Sequence, residues 1–191
     1  MTGGAAHQAS EKFNTAARTG GWPALCDASL AFSEPRFAPL IAIWEMAAAA
    51  GRLPRRADFN PRALKSLIRN VAIYERVAGR DVRYRVRLMG TAYTDVMGDL
   101  SGKFIDETVS REFLPRWSAA FEAALEAGAP LRFLSRSDTG GKTYLVAEYF
   151  EAPLLADDGS PNMILAAGHF APRRWADVAE HERERIAAAV P

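Results

Sequence analysis

The sequence predicts an α+β domain built on a five-stranded antiparallel sheet, because short turns join the strands in two groups and helices separate the groups. The clearest strand is Val82–Leu88, where apolar residues alternate with three arginines. This period of two is typical of a strand with one buried face, since a helix would scatter the arginines around its axis. Gly90 ends the strand, and a short helix, Ala92–Met97, is expected to fold back over the buried face.

The segments before this sheet divide into a tail and a helical extension. Residues 1–35 are rich in small and polar residues without a clear period, which predicts a flexible N-terminal tail. Residues 36–70 form the expected extension. Its first helix, Arg36–Ala50, carries an apolar stripe at helical spacing, and a second helix follows with Asp58 or Asn60 as its cap.

The predicted core spans residues 71–171, and a charged helix is expected within residues 172–191. A long helix, Phe113–Ala127, ends at Gly128 and must cross one face of the sheet. The expected core strands are Val71–Val77, Val82–Leu88, Leu131–Ser137, Lys142–Leu154 and Asn162–Phe170.

Composition and charge narrow the classes of function. The net charge of +1 gives no overall attraction to nucleic acid or to an anionic membrane. No apolar run approaches the ~20 residues of a membrane span, and the single cysteine, Cys26, rules out an internal disulfide and fits a cytoplasmic location. The basic segment 52–69 is either a solvated face or a docking surface for an acidic protein, a nucleotide phosphate or RNA. RNA is the least favoured partner because no aromatic residues interleave with the basic ones.

Three stretches carry a family resemblance: IWEMAAAAGRLPRRADFNP, GTAYTDVMGDLSGKFIDE and the hairpin ADDGSPNMILAAGHF. Their order resembles the PAS domain, of the type found in short stand-alone bacterial PAS proteins, over about Phe37–Phe170. The resemblance implies a sheet order of 2-1-5-4-3 with helices on one face. Because no kinase, cyclase or DNA-binding segment follows Phe170, it also implies a non-enzymatic sensor or adaptor that signals through a separate protein.

Side chains expected between the sheet and the helices are candidates for a ligand pocket. A densely packed core would have the same composition, so the sequence leaves both readings open. The aromatic content favours a small apolar or aromatic ligand if a cavity exists. The candidate ligand-binding residues are Tyr84, Val86, Leu88, Tyr93, Met97, Phe104, Trp117, Phe121, Tyr144, Val146, Glu148 and Leu165.

The resemblance also allows PAS cofactors to be tested by residue type. Haem needs an axial histidine, but none lies in the helical region 91–127, and Cys26 lies far upstream of the position that covalent flavin photochemistry requires. No His/Cys cluster predicts a metal site. The cofactor is left unknown. The alternative function is a small α+β enzyme or ligand carrier with a pocket near Glu148, Tyr144 and His169, which the absence of a nucleophile and base set disfavours.

The first helix of the extension predicts a contact surface. Leu40, Ile43, Trp44 and Ala47 form an apolar stripe that a monomer seldom leaves open. The stripe either covers the outer face of the sheet or pairs with its copy about a two-fold axis. We predict a homodimer through this helix, because the arginines of Val82–Leu88 make the outer face partly polar and many PAS proteins pair through such a helix.

Overall fold

The computed structural model describes residues 3–59, 62, 64–65, 67–137 and 141–188. Within these residues the sheet has six antiparallel strands in the spatial order β1-β4-β5-β6-β2-β3. When β1 is set aside, this is the predicted order 2-1-5-4-3, so the core topology is confirmed. The strands are β1 (Ala24–Asp27), β2 (Val71–Val77), β3 (Arg83–Met89), β4 (Leu131–Arg136), β5 (Leu145–Leu154) and β6 (Met163–Pro172).

The helices lie before, within and after the sheet: α1 (Gly3–Thr19), α2 (Ala38–Ala49), α3 (Thr91–Met97), α4 (Ile105–Thr108), α5 (Leu114–Ala127) and α6 (Trp175–Ala188). The predicted second helix of the extension falls partly on Asn60, which lies outside the described residues. What the structure shows there is a pair of 3-10 turns, Arg56–Asp58 and Ile68–Asn70.

Both faces of the sheet are covered, and we call them the inner face and the outer face. On the inner face, Tyr74 and Val86 pack in one apolar cluster with α3, α4 and α5. On the outer face, Phe150 and Leu165 pack in a cluster with α2, and Leu134 packs with α6. The core helices α3, α4 and α5 lie on one face, as predicted, and the helices α2 and α6 of the two terminal segments cover the other face.

Residues 1–35 were expected to form a flexible tail, but they contain α1 and β1. The helix buries Ala6, Ala9, Phe13 and Ala17 at helical spacing, and this stripe packs in a cluster with α5. Most of the stripe is alanine, so it carries little hydrophobic signal in the sequence. The Asn14 side chain then accepts a hydrogen bond from the Cys26 N–H at 2.8 Å and donates one to the Cys26 carbonyl at 2.9 Å. It therefore pairs both backbone groups of Cys26 on the free edge of β1.

The apolar stripe of α2 is used inside the chain. Leu40, Trp44 and Ala47 are buried and Ile43 is half-buried, and the Trp44 indole N–H donates to the Pro153 carbonyl at 3.4 Å. The stripe therefore covers the outer face of the sheet, which removes the reason for predicting a homodimer through this helix. The arginines did not prevent this, because they lie on the edge strand β3, while the part of the outer face that α2 covers is apolar.

A β-bulge in β3 changes which face its last residues occupy. Val86 pairs with Tyr74 but Leu88 pairs with Ile73, so Arg87 is an extra residue in the ladder. One extra residue moves every following side chain to the opposite face. Val86 is fully buried on the inner face, as predicted, whereas Leu88 packs on the outer face.

Candidate functional site

A cavity lies between the inner face and helices α1, α3 and α5. The cavity volume, measured as the space open to the centre of a water molecule, is about 60 Å³. This volume corresponds to roughly four to six water-sized positions. Its walls are mostly aromatic, and they come from all three helices and from four of the strands. The wall residues with large apolar side chains are Phe13, Tyr74, Tyr93, Met97, Trp117, Phe121, Phe133 and Tyr149.

Three polar side chains of the cavity wall are buried without a partner. The Tyr93 hydroxyl, the Ser137 hydroxyl and Oε2 of Glu151 each lack a hydrogen-bond partner among the described residues. A buried polar atom without a partner costs about 1–3 kcal/mol, so native proteins keep few of them. Three of these atoms lie around one small space among the described residues.

Glu151 lies on the inner face of β5, between Leu131 of β4 and Ala166 of β6. It is buried, and burial raises the pKa of its carboxyl group from 4.5 to about 8. The group is therefore mostly protonated at neutral pH, when it can donate as well as accept a hydrogen bond.

Two glycines leave the space that the position of Tyr93 requires. A Cβ at Gly90 would lie 2.4 Å from the carbonyl oxygens of Ile68 and Arg69, so only glycine allows α3 to begin at this position. A Cβ at Gly168 of β6 would lie 2.9 Å from the phenol oxygen of Tyr93. The sequence therefore leaves an opening in β6 into which the hydroxyl end of Tyr93 fits.

The predicted pocket residues separate into three groups. Tyr93, Met97, Trp117 and Phe121 line the cavity. Two more, Tyr84 and Val86, belong to the apolar cluster of the inner face but not to the cavity wall, and the Tyr84 hydroxyl donates to Glu122 of α5.

The third group lies away from the cavity and corrects the predicted pocket. Phe104 lies at the edge of the sheet, where the guanidinium carbon of Arg83 is 3.8 Å from the centre of the Phe104 ring. Tyr144 is 60% exposed. The other members, which belong to the outer face, are Leu88, Val146, Glu148 and Leu165. For Val146, Glu148 and Leu165 the physical reason is that β5 and β6 are buried on both sides, so their sequences carry no alternation that identifies the inner face.

Sequence reasoning missed Phe13 and Ala24, which the N-terminal segment adds to the cavity, and it missed Tyr74, Phe133 and Glu151 on the strands. The signal for Glu151 was available: an acid inside a long apolar strand is rarely buried without a role. The pattern could not choose between Glu151 and Glu148, because the two lie on opposite faces of the same strand.

A buried ion network lies on the outer face, and sequence reasoning did not find it. Arg132 of β4 has no exposed surface, and it contacts Glu148 at 2.6 Å, Glu182 of α6 at 2.8 Å and Asp27 of β1 at 3.2 Å. Arg185 of α6 also contacts Asp27, at 2.6 Å. We call these five residues the Arg132 network. It joins both terminal segments to the middle of the sheet.

The charged forms of Asp27, Glu182 and Arg132 are stabilised despite burial. Burial alone would raise the pKa of Asp27 and Glu182, but hydrogen bonds from Arg185 to Asp27, and from Arg132 and Arg185 to Glu182, lower both pKa values below their ordinary range. Burial opposes the charge of Arg132 as well, yet its bonds to Glu182 and Glu148 raise its pKa.

The residues of the alternative enzyme or carrier site are only partly brought together. Glu148 and His169 are cross-strand neighbours on the outer face, and His169 lies 3.4 Å from Glu34. The Glu148 carboxylate accepts from the backbone N–H groups of Ser33 and Glu34 and from the Ser33 hydroxyl, in addition to Arg132. Four donors saturate this carboxylate, which favours a structural role for it.

In the described part of the chain, no cluster of three or more His, Cys, Asp or Glu residues is arranged to hold a metal ion. None of the described helices is both long and apolar enough to cross a membrane.

The fold is thus an antiparallel sheet whose inner face, together with short helices, encloses a small and mostly aromatic cavity. A family model described as PAS domain matches residues 33–168, which is more than half of the chain. The chain belongs to the PAS domain family, whose members are generally sensory domains rather than enzymes.

Several solved structures are similar to the chain. An RNA-binding Light-Oxygen-Voltage receptor is 16% identical with a TM-score of 0.43, over 67% of this chain and 37% of that one, so this chain spans little more than a third of that protein. The light-state structure of the Aureochrome1 LOV photoreceptor is 15% identical with a TM-score of 0.42, over 64% and 97%. A sensory box histidine kinase/response regulator from Burkholderia thailandensis E264 is 15% identical with a TM-score of 0.38, over 65% and 92%. No curated protein matches the chain in sequence.

Proposed function

We propose that this PAS domain is a non-enzymatic sensor or adaptor of bacterial signal transduction that works in the cytoplasm. It binds a small ligand with apolar or aromatic character in the inner cavity and acts through contact with a separate signalling protein. The observation that supports this best is the cavity itself. Aromatic walls with a few converging polar groups are typical of small-molecule sites, and a close-packed core leaves few voids larger than a water molecule.

The outer face supports the non-enzymatic part of the proposal. Glu148, the acid of the alternative site, is held by four donors, and Tyr144 points largely into solvent. A general base needs a free lone pair within reach of a substrate proton. The saturated carboxylate of Glu148 does not suit that task.

The partner contact, and any homodimer, is expected on a surface other than the apolar stripe of α2. Leu40 and Trp44 are at most 6% exposed, so a second protein could reach them only if α2 left the sheet. In this proposal, helices α2 and α6 of the two terminal segments bury the outer face of the sheet and do not bind the partner through that buried surface.

Filling the cavity tests the proposal. Xenon binds apolar cavities without any specific chemical group, so wild-type protein should shift and broaden the ¹²⁹Xe resonance in a saturable way. Ala120→Leu adds three carbons at the cavity wall and should abolish the saturable part. Ala42→Leu makes the same change on the exposed side of α2 and is the matched control.

Native mass spectrometry of the purified protein completes the test. A bound molecule that is present in wild type and in Ala42→Leu but lost from Ala120→Leu would identify the ligand and its site. If folded wild type takes up no xenon and carries no molecule, the inner cavity is packed core and the ligand-binding proposal fails.

A further inference from the structure

We propose that the ligand of the inner cavity is a small organic ammonium ion, bound by the carboxyl group of Glu151 and by the surrounding aromatic rings; this inference rests on the proposed function above. It names the chemistry of the ligand, which the proposed function leaves as apolar or aromatic.

The aromatic walls are the first observation. Among the residues that line the cavity, Trp117, Phe121 and Tyr74 form a connected group, in which the ring centres of Tyr74 and Phe121 lie 4.5 Å apart and those of Trp117 and Phe121 lie 6.0 Å apart. Phe133 and Tyr149 add rings from the sheet. The face of an aromatic ring carries negative potential, and it attracts a desolvated cation. A cage of such rings therefore favours a cation that has an apolar surface.

The second observation is the polar end of the cavity. Glu151 is the one acidic side chain among the described residues of the cavity wall, and its Oε2 atom has no partner. The hydroxyl groups of Tyr93 and Ser137 are also unpartnered and can accept a hydrogen bond. An apolar ligand would leave all three polar atoms unsatisfied, and an anion would meet a carboxyl group. An N–H group with positive charge satisfies the acid and leaves the rings to contact its carbon atoms.

The arginines of the cavity wall do not take this role. Arg116 and Arg136 line the cavity, but the guanidinium of Arg116 lies 5.5 Å from the ring centre of Phe113, and both arginines have other contacts. Burial is the only cause that shifts the pKa of Glu151, to about 8, so no protein cation neutralises the carboxyl group. A cationic ligand would supply the counter-charge that stabilises the ionised form of Glu151.

The other groups that face Glu151 stay neutral over the relevant pH range. The neighbouring phenols of Tyr74 and Tyr93 and the thiol of Cys26 have pKa values that burial raises above their ordinary values. Tyr149 contributes a further hydroxyl group from the same strand. Between pH 6 and pH 8, ionisation of Glu151 is therefore the change that alters the charge of the site, and it should favour binding of a cation as the pH rises.

The size of the cavity limits the ligand. Four to six water-sized positions correspond to about four or five non-hydrogen atoms inside the wall. Trimethylammonium has four and keeps its proton between pH 6 and pH 8. tert-Butanol has a similar shape and no charge, so the two molecules separate the effect of charge from that of shape.

Calorimetric titration of the whole chain with these two probes tests the inference. Trimethylammonium should bind wild type about fiftyfold more tightly at pH 8 than at pH 6, because its binding requires an ionised Glu151 whose pKa in the free protein is about 8. tert-Butanol should bind weakly at both pH values. Glu151→Gln should bind trimethylammonium at least tenfold more weakly than wild type at pH 8 and should lose the pH dependence. Gln keeps the shape of the side chain, so this variant is expected to fold.

Each remaining outcome assigns the failure to one of the two proposals. If xenon binds but tert-butanol and trimethylammonium bind equally, or if Glu151→Gln binds the cation as wild type does, the ammonium inference is overturned and the cavity remains a ligand site. If water alone occupies the site and neither xenon nor either probe binds to folded protein, both proposals fail.

Discussion

Two buried glutamates stand three residues apart on β5 and lie on opposite faces of the sheet. Glu148, on the outer face, accepts hydrogen bonds from four donors, of which the nearest is Nε of Arg132 at 2.6 Å. Glu151, on the inner face, has an oxygen without a partner among the described residues, and burial is the only cause that shifts its pKa. The same residue type in one strand is therefore a fully paired structural group on one face and an unpaired acid on the other.

The difference teaches that burial alone does not identify a functional acid. Glu148 and Glu151 are 5% and 7% exposed, so burial does not separate them. Their partners do, since Arg132 pairs with Glu148, while burial is the only cause of the pKa shift of Glu151. Native proteins rarely keep a buried polar atom unpaired unless a site needs it. The inner face is thus the place to look for a ligand, and the outer face holds the terminal segments in place.

The largest expected effect comes from removing the centre of the Arg132 network. Arg132→Met should destabilise the protein by about 3–5 kcal/mol, because it leaves the carboxylates of Asp27, Glu148 and Glu182 buried without their main cation. Urea unfolding at pH 7 measures the change. Arg185→Met is the matched control, with a smaller expected loss, because Arg185 is 26% exposed and contacts two of the three acids. Equal losses in the two variants would mean that Arg132 is not the centre of the network.

The next effect is the pH dependence of stability that Glu151 confers. Glu151 has a raised pKa in the folded state, so its contribution to stability is greatest below pH 4.5, falls as the pH rises toward 8 and is constant above that value. The free energy of unfolding of wild type should therefore decrease by about 3 kcal/mol more between pH 5 and pH 8 than that of Glu151→Gln.

Chemical unfolding of both proteins at several pH values measures this difference, and Glu45→Gln on the exposed side of α2 is the control. The carboxylates Asp27 and Glu182 have lowered pKa values, so their contribution is lost only below their ordinary range, outside the window of Glu151. Parallel pH profiles for wild type and Glu151→Gln would show that Glu151 has a partner in solution.

The smallest expected effect on stability comes from removing one of the four hydrogen-bond donors to Glu148. Ser33→Ala removes the hydroxyl that donates to Glu148 at 2.9 Å but keeps both backbone N–H groups and Arg132. Because three donors remain, the cost should be about 1 kcal/mol, the ordinary value of a single hydrogen bond. Thermal unfolding is sufficient to detect it. A loss as large as that of Arg132→Met would mean that the segment before α2 depends on this one hydroxyl group.

Local patterns in the sequence determined the core strands, the short helix before Gly98 and their order along the sheet. They also determined part of the cavity, because Tyr93, Trp117 and Phe121 lie on helices whose apolar stripes face a single sheet. These features depend on neighbours a few residues apart, which a sequence displays directly.

Only the tertiary structure decided which face each residue of β5 occupies, because a strand buried on both sides carries no alternation. It also decided the role of α1, whose alanine stripe gives little hydrophobic signal, and the position of Leu88, which a single bulge residue moves to the outer face. The Arg132 network shows the same limit: its central arginine meets acids 16, 50 and 105 residues away. Such pairing is set by how the terminal segments pack on the sheet, and no local spacing records it.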